Sequence, residues 1–287
     1  MIKPMYTYIL FAALTLGLPG CKKETALPTT PIVGLGGDTW VKRPLDFWID
    51  KNYVDPYNIE VKYKWDPYEL NYAKNLVPVL ESQVEPVMTA VRDIYIKPYE
   101  QVAGNSFIKK YSPKLFQLAG SAEYNENGTV VLGQAEGGRK IVLMVINQFD
   151  KANVAEVQRM LHTIHHEFAH ILHQIHAYPV EWKGLNPDKI TAAWFNTTDE
   201  EANTQGLVTA YAKASPDEDF VETVAVLLVN GQAYFDAIVN NPYVPQASKK
   251  ILRQKESIVV DFYQKEYNID FRKLQEVTKQ AILNSTK

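Results

Sequence analysis

Cysteine is almost absent from this sequence, because Cys21 is the only one among 287 residues. Disulfide bonds within the chain are therefore impossible. An excess of charge of either sign is absent as well, since 30 lysines and arginines face 33 aspartates and glutamates. With a formal net charge of −3, nothing in the composition indicates a nucleic-acid partner.

The amino terminus lacks an apolar run long enough to span a membrane as a helix. Its run Tyr6–Leu18 follows a lysine and closes on Leu-Pro-Gly-Cys, which predicts a secretory signal over residues 1–21. The segment Leu18–Cys21 resembles a bacterial lipobox, and this resemblance implies that Cys21 carries lipid and anchors the mature protein. We therefore expect an outer-membrane lipoprotein that faces the cell surface or the periplasm.

The composition divides the rest of the chain into a short linker and a globular part. Residues 22–39 contain closely spaced prolines and glycines and are predicted to form a flexible tether. About 250 residues remain, which is enough for one domain or for two lobes around a cleft. We divide them into an upstream lobe, 40–178, and a helical downstream lobe, 179–287.

Hydrophobic periodicity predicts an α+β fold that is largely helical with a small mixed sheet. Alternating apolar and charged residues predict a strand at Ile59–Trp65, and helical spacing predicts a helix over 82–103. Two β-rich runs, Thr129–Leu132 and Lys140–Ile146, predict a hairpin or a pair of neighbouring strands. The sheet is expected to belong to the upstream lobe.

Histidine is scarce but concentrated, since all six histidines lie between positions 162 and 176. Within this stretch the segment His166–His170 reads H-E-F-A-H and matches the H-E-x-x-H pattern. Apolar residues recur around it at helical intervals, Asn153 provides a start signal and Pro179 marks an end. On such a helix two imidazoles lie one turn apart on one face, as zinc ligands do, and Glu167 can take a proton from water.

A catalytic zinc ion usually has three protein ligands, so His166 and His170 need a third. His176 has the spacing of the metzincin signature, but that signature requires a glycine where His173 stands. It also requires a methionine beyond the helix, whereas every methionine lies at or before Met160. His173 lies in line with the first two ligands, and three ligands in a line cannot surround a metal. His173 is instead predicted to line the pocket or to form a hydrogen bond within the protein, and the histidines that precede the motif are predicted to be structural.

A downstream carboxylate remains as the third ligand. The segment Glu218–Glu222 reads E-D-F-V-E and offers two glutamates one helical turn apart. One of them can bind zinc while the other holds a zinc-binding histidine in place. The sequence leaves open which of the two binds zinc. Glu218 could instead complete a helix cap with Ser215, and Glu222 would then be the ligand.

Together these residues resemble the gluzincin metallopeptidases, most closely the anthrax lethal factor type. In that type H-E-F-x-H is followed by a tyrosine and then by E-x-F-x-E, and here Tyr211 stands seven residues before Glu218. The resemblance implies a zincin-like fold and one Zn2+ per chain with Glu218 as its third ligand. It also implies that Glu222 orients a zinc-binding histidine, that Tyr211 donates to the oxyanion, and that Glu167 is the general base of peptide hydrolysis.

The layout of lipobox, H-E-x-x-H helix and carboxylate helix is similar to zinc metallohydrolase lipoproteins associated with Sus-like outer-membrane nutrient importers. This resemblance names no substrate but implies a membrane anchor at Cys21 and an importer complex as partner. The peptide or protein substrate is what the gluzincin resemblance implies. Two alternatives stay open, namely a non-catalytic capture lipoprotein with a zinc site and a zinc hydrolase of a non-peptide amide. Glu167 argues against the first, since a structural zinc site needs no general base.

The irregular stretch after the histidine helix carries Trp182 and Trp194. Tryptophans beside a cleft either bind substrate or belong to the core, and the core is the more common place for them. The fold of the resembled family also suggests that an exposed strand near Lys140–Ile146 pairs with an extended peptide.

Overall fold

The elements predicted from the sequence can be located in a computed structural model, which describes residues 41–71, 74–125, 130–131, 133–136 and 140–286. The predicted signal, Cys21 and the tether at 22–39 lie outside the described residues. The α-helices are α1 Pro44–Ile49, α2 Asp55–Tyr57, α3 Glu81–Val91, α4 Lys97–Ala103, α5 Asn105–Tyr111, α6 Val154–Ile175, α7 Asp199–Thr204, α8 Pro216–Val229, α9 Gly231–Asn240, α10 Gln246–Tyr267 and α11 Phe271–Ser285. The strands are β1 Glu60–Lys62, β2 Leu115–Leu118, β3 Glu123–Tyr124, β4 Val130–Val131, β5 Gly133–Glu136 and β6 Lys140–Leu143.

Short helical turns of other types join these elements. Two π-helical segments, Asp50–Val54 and Arg92–Ile96, continue α1 into α2 and α3 into α4. The 3₁₀ segments are Ile146–Gln148, Val180–Gly184, Pro187–Lys189, Trp194–Asn196 and Tyr211–Lys213. Most of the stretch between α6 and α8 is therefore built from short turns rather than from long helices.

Four strands form a mixed sheet in the order β1-β2-β6-β5. β1, β2 and β6 run parallel, with Val61 opposite Phe116 and Phe116 opposite Ile141. β5 runs antiparallel to β6 and lies at one edge, while β3 and β4 form a separate antiparallel pair. A mainly helical chain with this small mixed sheet confirms the predicted α+β class.

The predicted pairing of Thr129–Leu132 with Lys140–Ile146 is wrong for the residues that the structure describes. β6 pairs with β2 on one side and with β5 on the other, and the composition of β5 predicts a linker rather than a strand. β4 pairs instead with β3; Thr129 and Leu132 lie outside the described residues. Because both edges of β6 are occupied, it cannot pair with a peptide, and β5 holds that edge of the sheet.

Helical structure runs without interruption from Glu81 to Ala103 and confirms the helix predicted over 82–103. It ends at Gly104, whose φ of 84° lies in the left-handed region that glycine adopts at the lowest cost. The strand predicted at Ile59–Trp65 is present as β1 but is shorter than the alternation indicates.

The histidine helix α6 confirms the helix predicted between Asn153 and Pro179. The Asn153 side chain accepts hydrogen bonds from the backbone N–H groups of Ala155 at 3.1 Å and Glu156 at 3.4 Å. These two groups have no partner within the helix, so the cap satisfies donors that would otherwise depend on water. The first turn of α6 is thereby fixed.

Replacing Asn153 by alanine should lower the free energy of unfolding by about 1 kcal/mol, because the two N–H groups lose their acceptor. Urea denaturation followed by circular dichroism measures this change. Asn284, an exposed residue within α11, provides the control, and its alanine variant should differ from wild type by less than about 0.5 kcal/mol. An Asn153 variant as stable as wild type would show that the cap contributes nothing.

α6 packs against β5 and β6 on one side and against α8 on another. Leu161, Ile164 and Phe168 are fully buried and anchor its apolar face in the core. Because the side chains at i and i+4 share a face, His166 and His170 lie together on the side of α6 that meets α8.

A buried ion pair fixes the start of α8. Lys255 on α10 is fully buried, and its Nζ lies 2.7 Å from Asp219 Oδ2 and donates to the Gly206 carbonyl at 2.9 Å. Burial raises the pKa of Asp219 to about 6, although Lys255 acts in the opposite direction. The Lys255 ammonium also lies 5.4 Å from the centre of the Trp182 ring. Since Asp219 follows Glu218, this pair holds the turn that carries the predicted third ligand.

Residues Arg43–Lys287 cluster into one compact unit. Its main hydrophobic core includes side chains from both predicted lobes, such as Phe168 and Phe220. The division at residue 178 stays a prediction. Within the described ranges, no helix combines the length and the apolar character needed to cross a bilayer.

Candidate metal centre

Two histidines of α6 and a glutamate of α8 direct their side chains at a common position. The ring centroids of His166 and His170 lie 4.9 Å apart. Glu218, in the first turn of α8, places Oε2 3.0 Å from His166 Nε2 and 3.4 Å from His170 Nε2. Each of the three residues thus offers one ligand atom within 4.8 Å of the others.

The spacing of these atoms fits a zinc ion. Zinc binds nitrogen and oxygen ligands at about 2.0–2.1 Å in a tetrahedron, which separates neighbouring ligand atoms by about 3.3 Å. The observed separations of 3.0 and 3.4 Å bracket that value. Within the described part of the chain, Glu218 Oε2 is also a buried oxygen without a hydrogen-bond partner of normal geometry. A carboxylate oxygen is costly to bury in this way unless a cation accompanies it.

The second nitrogen of each imidazole has its own hydrogen-bond partner. His166 Nδ1 lies 2.7 Å from Glu222 Oε1, and His170 Nδ1 lies 3.0 Å from His173 Nε2. Both Nδ1 atoms can therefore carry the ring proton and donate it, which leaves the Nε2 lone pairs directed at the shared position. This is the tautomer that a metal bound at Nε2 requires.

Hydrogen bonds occupy both oxygens of the Glu222 carboxylate. Besides its contact with His166, Oε1 lies 2.8 Å from His162 Nε2, and Oε2 accepts a bond from Thr209 Oγ1 at 2.6 Å. His162, His166 and Glu222 also lie close enough together to hold a metal. Because their contacts are already those of a hydrogen-bonded network, this second group fits a support for the first better than a second metal site.

Ser215 caps α8 through the backbone of Glu218 and not through its side chain. Ser215 Oγ accepts a hydrogen bond from the Glu218 N–H at 3.1 Å. The Glu218 carboxylate turns instead toward the two imidazoles. The helix cap and the metal ligand, which the sequence presents as alternatives, are therefore compatible in this structure.

Burial and charge contacts act in opposite directions on these groups. Burial raises the pKa of Glu218, but His166 and His170 outweigh it and lower that pKa to about 2. Burial lowers the pKa of His166, but Glu218 and Glu222 outweigh it and raise that pKa to about 10, so a metal ion that binds at Nε2 displaces a proton from this imidazole. Burial also raises the pKa of Glu222, yet His162 and His166 bring it well below its ordinary value. Two ionised carboxylates therefore face the imidazoles and attract a cation.

The predicted catalytic side chains lie beside the same position. Glu167 follows His166 on α6 and is half-buried, and its charge contributes to the raised pKa of both His166 and Tyr211. The Tyr211 ring stacks on His166, with centroids 5.8 Å apart and planes 24° apart. Burial, followed by the charges of Glu218 and Glu167, raises the pKa of Tyr211. The phenol therefore keeps its proton at neutral pH and can act as a hydrogen-bond donor.

The remaining histidines divide into two kinds. His173 contacts the site through His170, in keeping with its predicted place in the pocket. His162 contacts the site through Glu222, which the sequence did not predict, although it lies on the stripe of α6 that carries the ligands. His165 is fully buried, and burial lowers its pKa to about 3, so it is a neutral core residue. His176 lies beyond the last turn, 3.2 Å from a carboxylate oxygen of an α10 glutamate.

The two tryptophans after α6 have different surroundings. Trp182 is 1% exposed and belongs to the core, where its Nε1 donates to the Pro216 carbonyl at 3.1 Å. Trp194 is half-buried and contacts Tyr211, with ring centroids 4.8 Å apart. The expectation of a core position therefore holds for Trp182 alone.

Comparison with known families matches residues 38–272 to the family described as "Putative zinc-binding metallo-peptidase". A crystal structure of a protein from Bacteroides caccae, described in the same words, superposes with a TM-score of 0.73 at 32% sequence identity. The match covers 84% of this chain and 92% of that one. No curated protein matches the chain. Since the family match spans most of the sequence and the ligand set fits zinc, the chain belongs to this family of zinc-binding metallo-peptidases.

Proposed function

We propose that this chain is a zinc-dependent peptidase of the gluzincin class. His166, His170 and Glu218 hold one Zn2+, and Glu167 acts as the general base. The observation that carries the proposal is that three ligand atoms meet at zinc spacing beside the carboxylate of Glu167, which is not needed to hold the metal. A site that only stabilises the fold has no use for that carboxylate.

The chain's own residues can perform each proton transfer of peptide hydrolysis. When bound, the zinc ion lowers the pKa of water to about 7 and polarises the peptide carbonyl. Glu167 accepts a proton from the attacking water and passes it to the leaving amine. Tyr211, which stays protonated, donates a hydrogen bond to the oxyanion. Glu222 and His173 keep the two imidazoles in orientation.

The placement of Tyr211 supports the lethal factor type of gluzincin arrangement. Its ring lies against His166, and the charge of Glu218 contributes to its raised pKa. A phenol beside two of the ligands can reach a carbonyl oxygen bound at the same position.

The purified mature chain should contain about one zinc ion, and alanine at His166 or His170 should remove it. Elemental analysis of protein prepared without chelators measures the metal content. His176→Ala is the matched control, because this histidine contacts Glu266 and should not affect the metal. Wild-type protein that is free of metal and cannot take up added zinc would overturn the proposed function.

We further propose that Cys21 carries the lipid of an outer-membrane lipoprotein, on the strength of the Leu18–Cys21 segment. Cys21→Ala should release the protein from the membrane fraction or leave the precursor unprocessed. Fractionation and uptake of labelled palmitate measure this, and an unchanged result for both would contradict the lipid anchor. A link to a Sus-like nutrient importer rests on the sequence layout, and crosslinking followed by co-purification of an outer-membrane importer tests it.

A further inference from the structure

An aromatic surface extends from the metal centre toward solvent. The Tyr211 ring stacks on His166, and Trp194 packs edge-on against Tyr211 with ring centroids 4.8 Å apart. Phe195 in turn packs edge-on against Trp194, with centroids 6.0 Å apart and planes 81° apart. One metal ligand and three aromatic rings thus form a continuous series of contacts.

This surface is accessible, unlike the aromatic rings of the core. Phe195 is 45% exposed and Tyr211 is 37% exposed, and Trp194 is half-buried between them. Phe220, in contrast, is fully buried. Exposed aromatic rings cost free energy in water, and a group of them beside a polar centre is typical of a binding site.

Hydrogen bonds made by residues in or next to the 3₁₀ segments Trp194–Asn196 and Tyr211–Lys213 fix the backbone beneath the aromatic surface. The Lys213 carbonyl accepts from the Thr191 N–H at 2.8 Å, and Lys213 Nζ donates to Thr197 Oγ1 at 2.9 Å. Asp199 Oδ1 accepts from the Ala210 N–H at 2.7 Å. A ligand would therefore meet a preorganised surface and lose little free energy in ordering it.

We propose that Trp194, Phe195 and Tyr211 form a subsite for a large apolar side chain, preferably aromatic, on the substrate residue next to the bond that is cleaved. The inference rests on the proposed function, because contact with His166 places the surface beside the reacting carbonyl. An aromatic substrate ring can pack edge-to-face on Trp194 and Phe195, as these rings pack on each other. Lys213, which could attract an acidic side chain, is buried and already bonded to Thr197.

Binding of two hydroxamates to the zinc-loaded protein tests the subsite without requiring turnover. Acetohydroxamate can chelate zinc but carries no large side chain, whereas 3-phenylpropanohydroxamate adds an aromatic ring. Isothermal titration calorimetry should show the phenyl compound to bind on the order of 10- to 100-fold more tightly to wild type, as expected when an aromatic ring leaves water. Trp194→Ala should reduce this ratio to less than about threefold and leave the affinity for acetohydroxamate unchanged.

Two further variants keep the test decisive. Phe195→Ala alters an exposed residue and should also reduce the ratio. It therefore provides the test if Trp194→Ala fails to fold. Tyr68→Ala removes a tyrosine that is 94% exposed in the turn after β1 and should leave the ratio at its wild-type value.

The two proposals fail in different ways. Wild-type protein that binds zinc and acetohydroxamate but shows no preference for the phenyl compound overturns the subsite and leaves the zinc site standing. A preference that survives both aromatic variants also overturns it. Protein that takes up no zinc overturns the proposed function itself.

Discussion

Glu167→Gln should keep one zinc ion per chain and cleave peptides about 10²–10⁴-fold more slowly than wild type. Glutamine preserves the size of the side chain but cannot accept the proton of the attacking water. Glu167 does not belong to the group of three converging ligand atoms, so the metal should remain. Elemental analysis of the variant, beside initial rates on a degenerate peptide library read by mass spectrometry, measures both quantities.

Glu156→Gln is the matched control for this experiment. Glu156 lies on the same helix but pairs with Arg159 near the amino end, so its variant should cleave at the wild-type rate. A Glu167→Gln protein as active as wild type would show that another group is the base. If zinc-loaded wild type cleaves no library peptide, the capture-protein alternative gains support over the peptidase.

The pair of histidine ligands could be predicted from the sequence because the information is local. Once α6 is recognised, its geometry alone places His166 and His170 on one face, and the Asn153 cap and the apolar stripe identify the helix. His162 and His173 lie on the same stripe, so their positions could also be predicted. Their hydrogen-bond partners, Glu222 and His170, depend on packing and side-chain direction that spacing does not give.

The third ligand could be narrowed to Glu218 or Glu222 but not chosen from the residues alone. The choice depends on which turn of α8 approaches α6, and tertiary contacts such as the buried Lys255–Asp219 pair fix that approach. Spacing in the sequence carries no signal for Thr209, which donates to Glu222 from outside both helices.

The sheet pairing could not be predicted because its strands are short and their contacts are non-local. β5 reads Gly-Gln-Ala-Glu and lacks the β-branched and aromatic residues that mark strands. β5 is a strand because it pairs with the free edge of β6. Which edge is free depends on the assembled sheet and not on the sequence of β5. Whether Trp194 lies in the core or at the surface could not be predicted either. It lies in a short 3₁₀ segment, which has no hydrophobic period to show which side faces solvent.

Glu218→Ala and Glu222→Ala should both weaken zinc binding, but to different extents. Removing Glu218 deletes one of three ligands and should raise the zinc dissociation constant by more than about 100-fold, whereas Glu222→Ala should raise it by roughly 10–100-fold. Glu222 acts through His166, whose Nδ1 would lose its acceptor while its Nε2 could still bind. Competition with a chelating dye measures both constants, and urea denaturation of the same samples records any loss of stability.

The variant that weakens zinc binding more strongly identifies the third zinc ligand. Glu218 Oε2 lies 3.0 and 3.4 Å from the two imidazole Nε2 atoms, which are the separations expected between ligand atoms around one zinc ion, while Glu222 bonds His162, His166 and Thr209 instead. Glu222→Ala should therefore be the more damaging change for stability, since it leaves the buried His166 and the half-buried His162 and Thr209 without their acceptor, and the less damaging one for the metal. If Glu222→Ala strips the zinc while Glu218→Ala only destabilises the fold, the two roles must be exchanged. Glu200→Ala, on the separate helix α7, should change neither quantity.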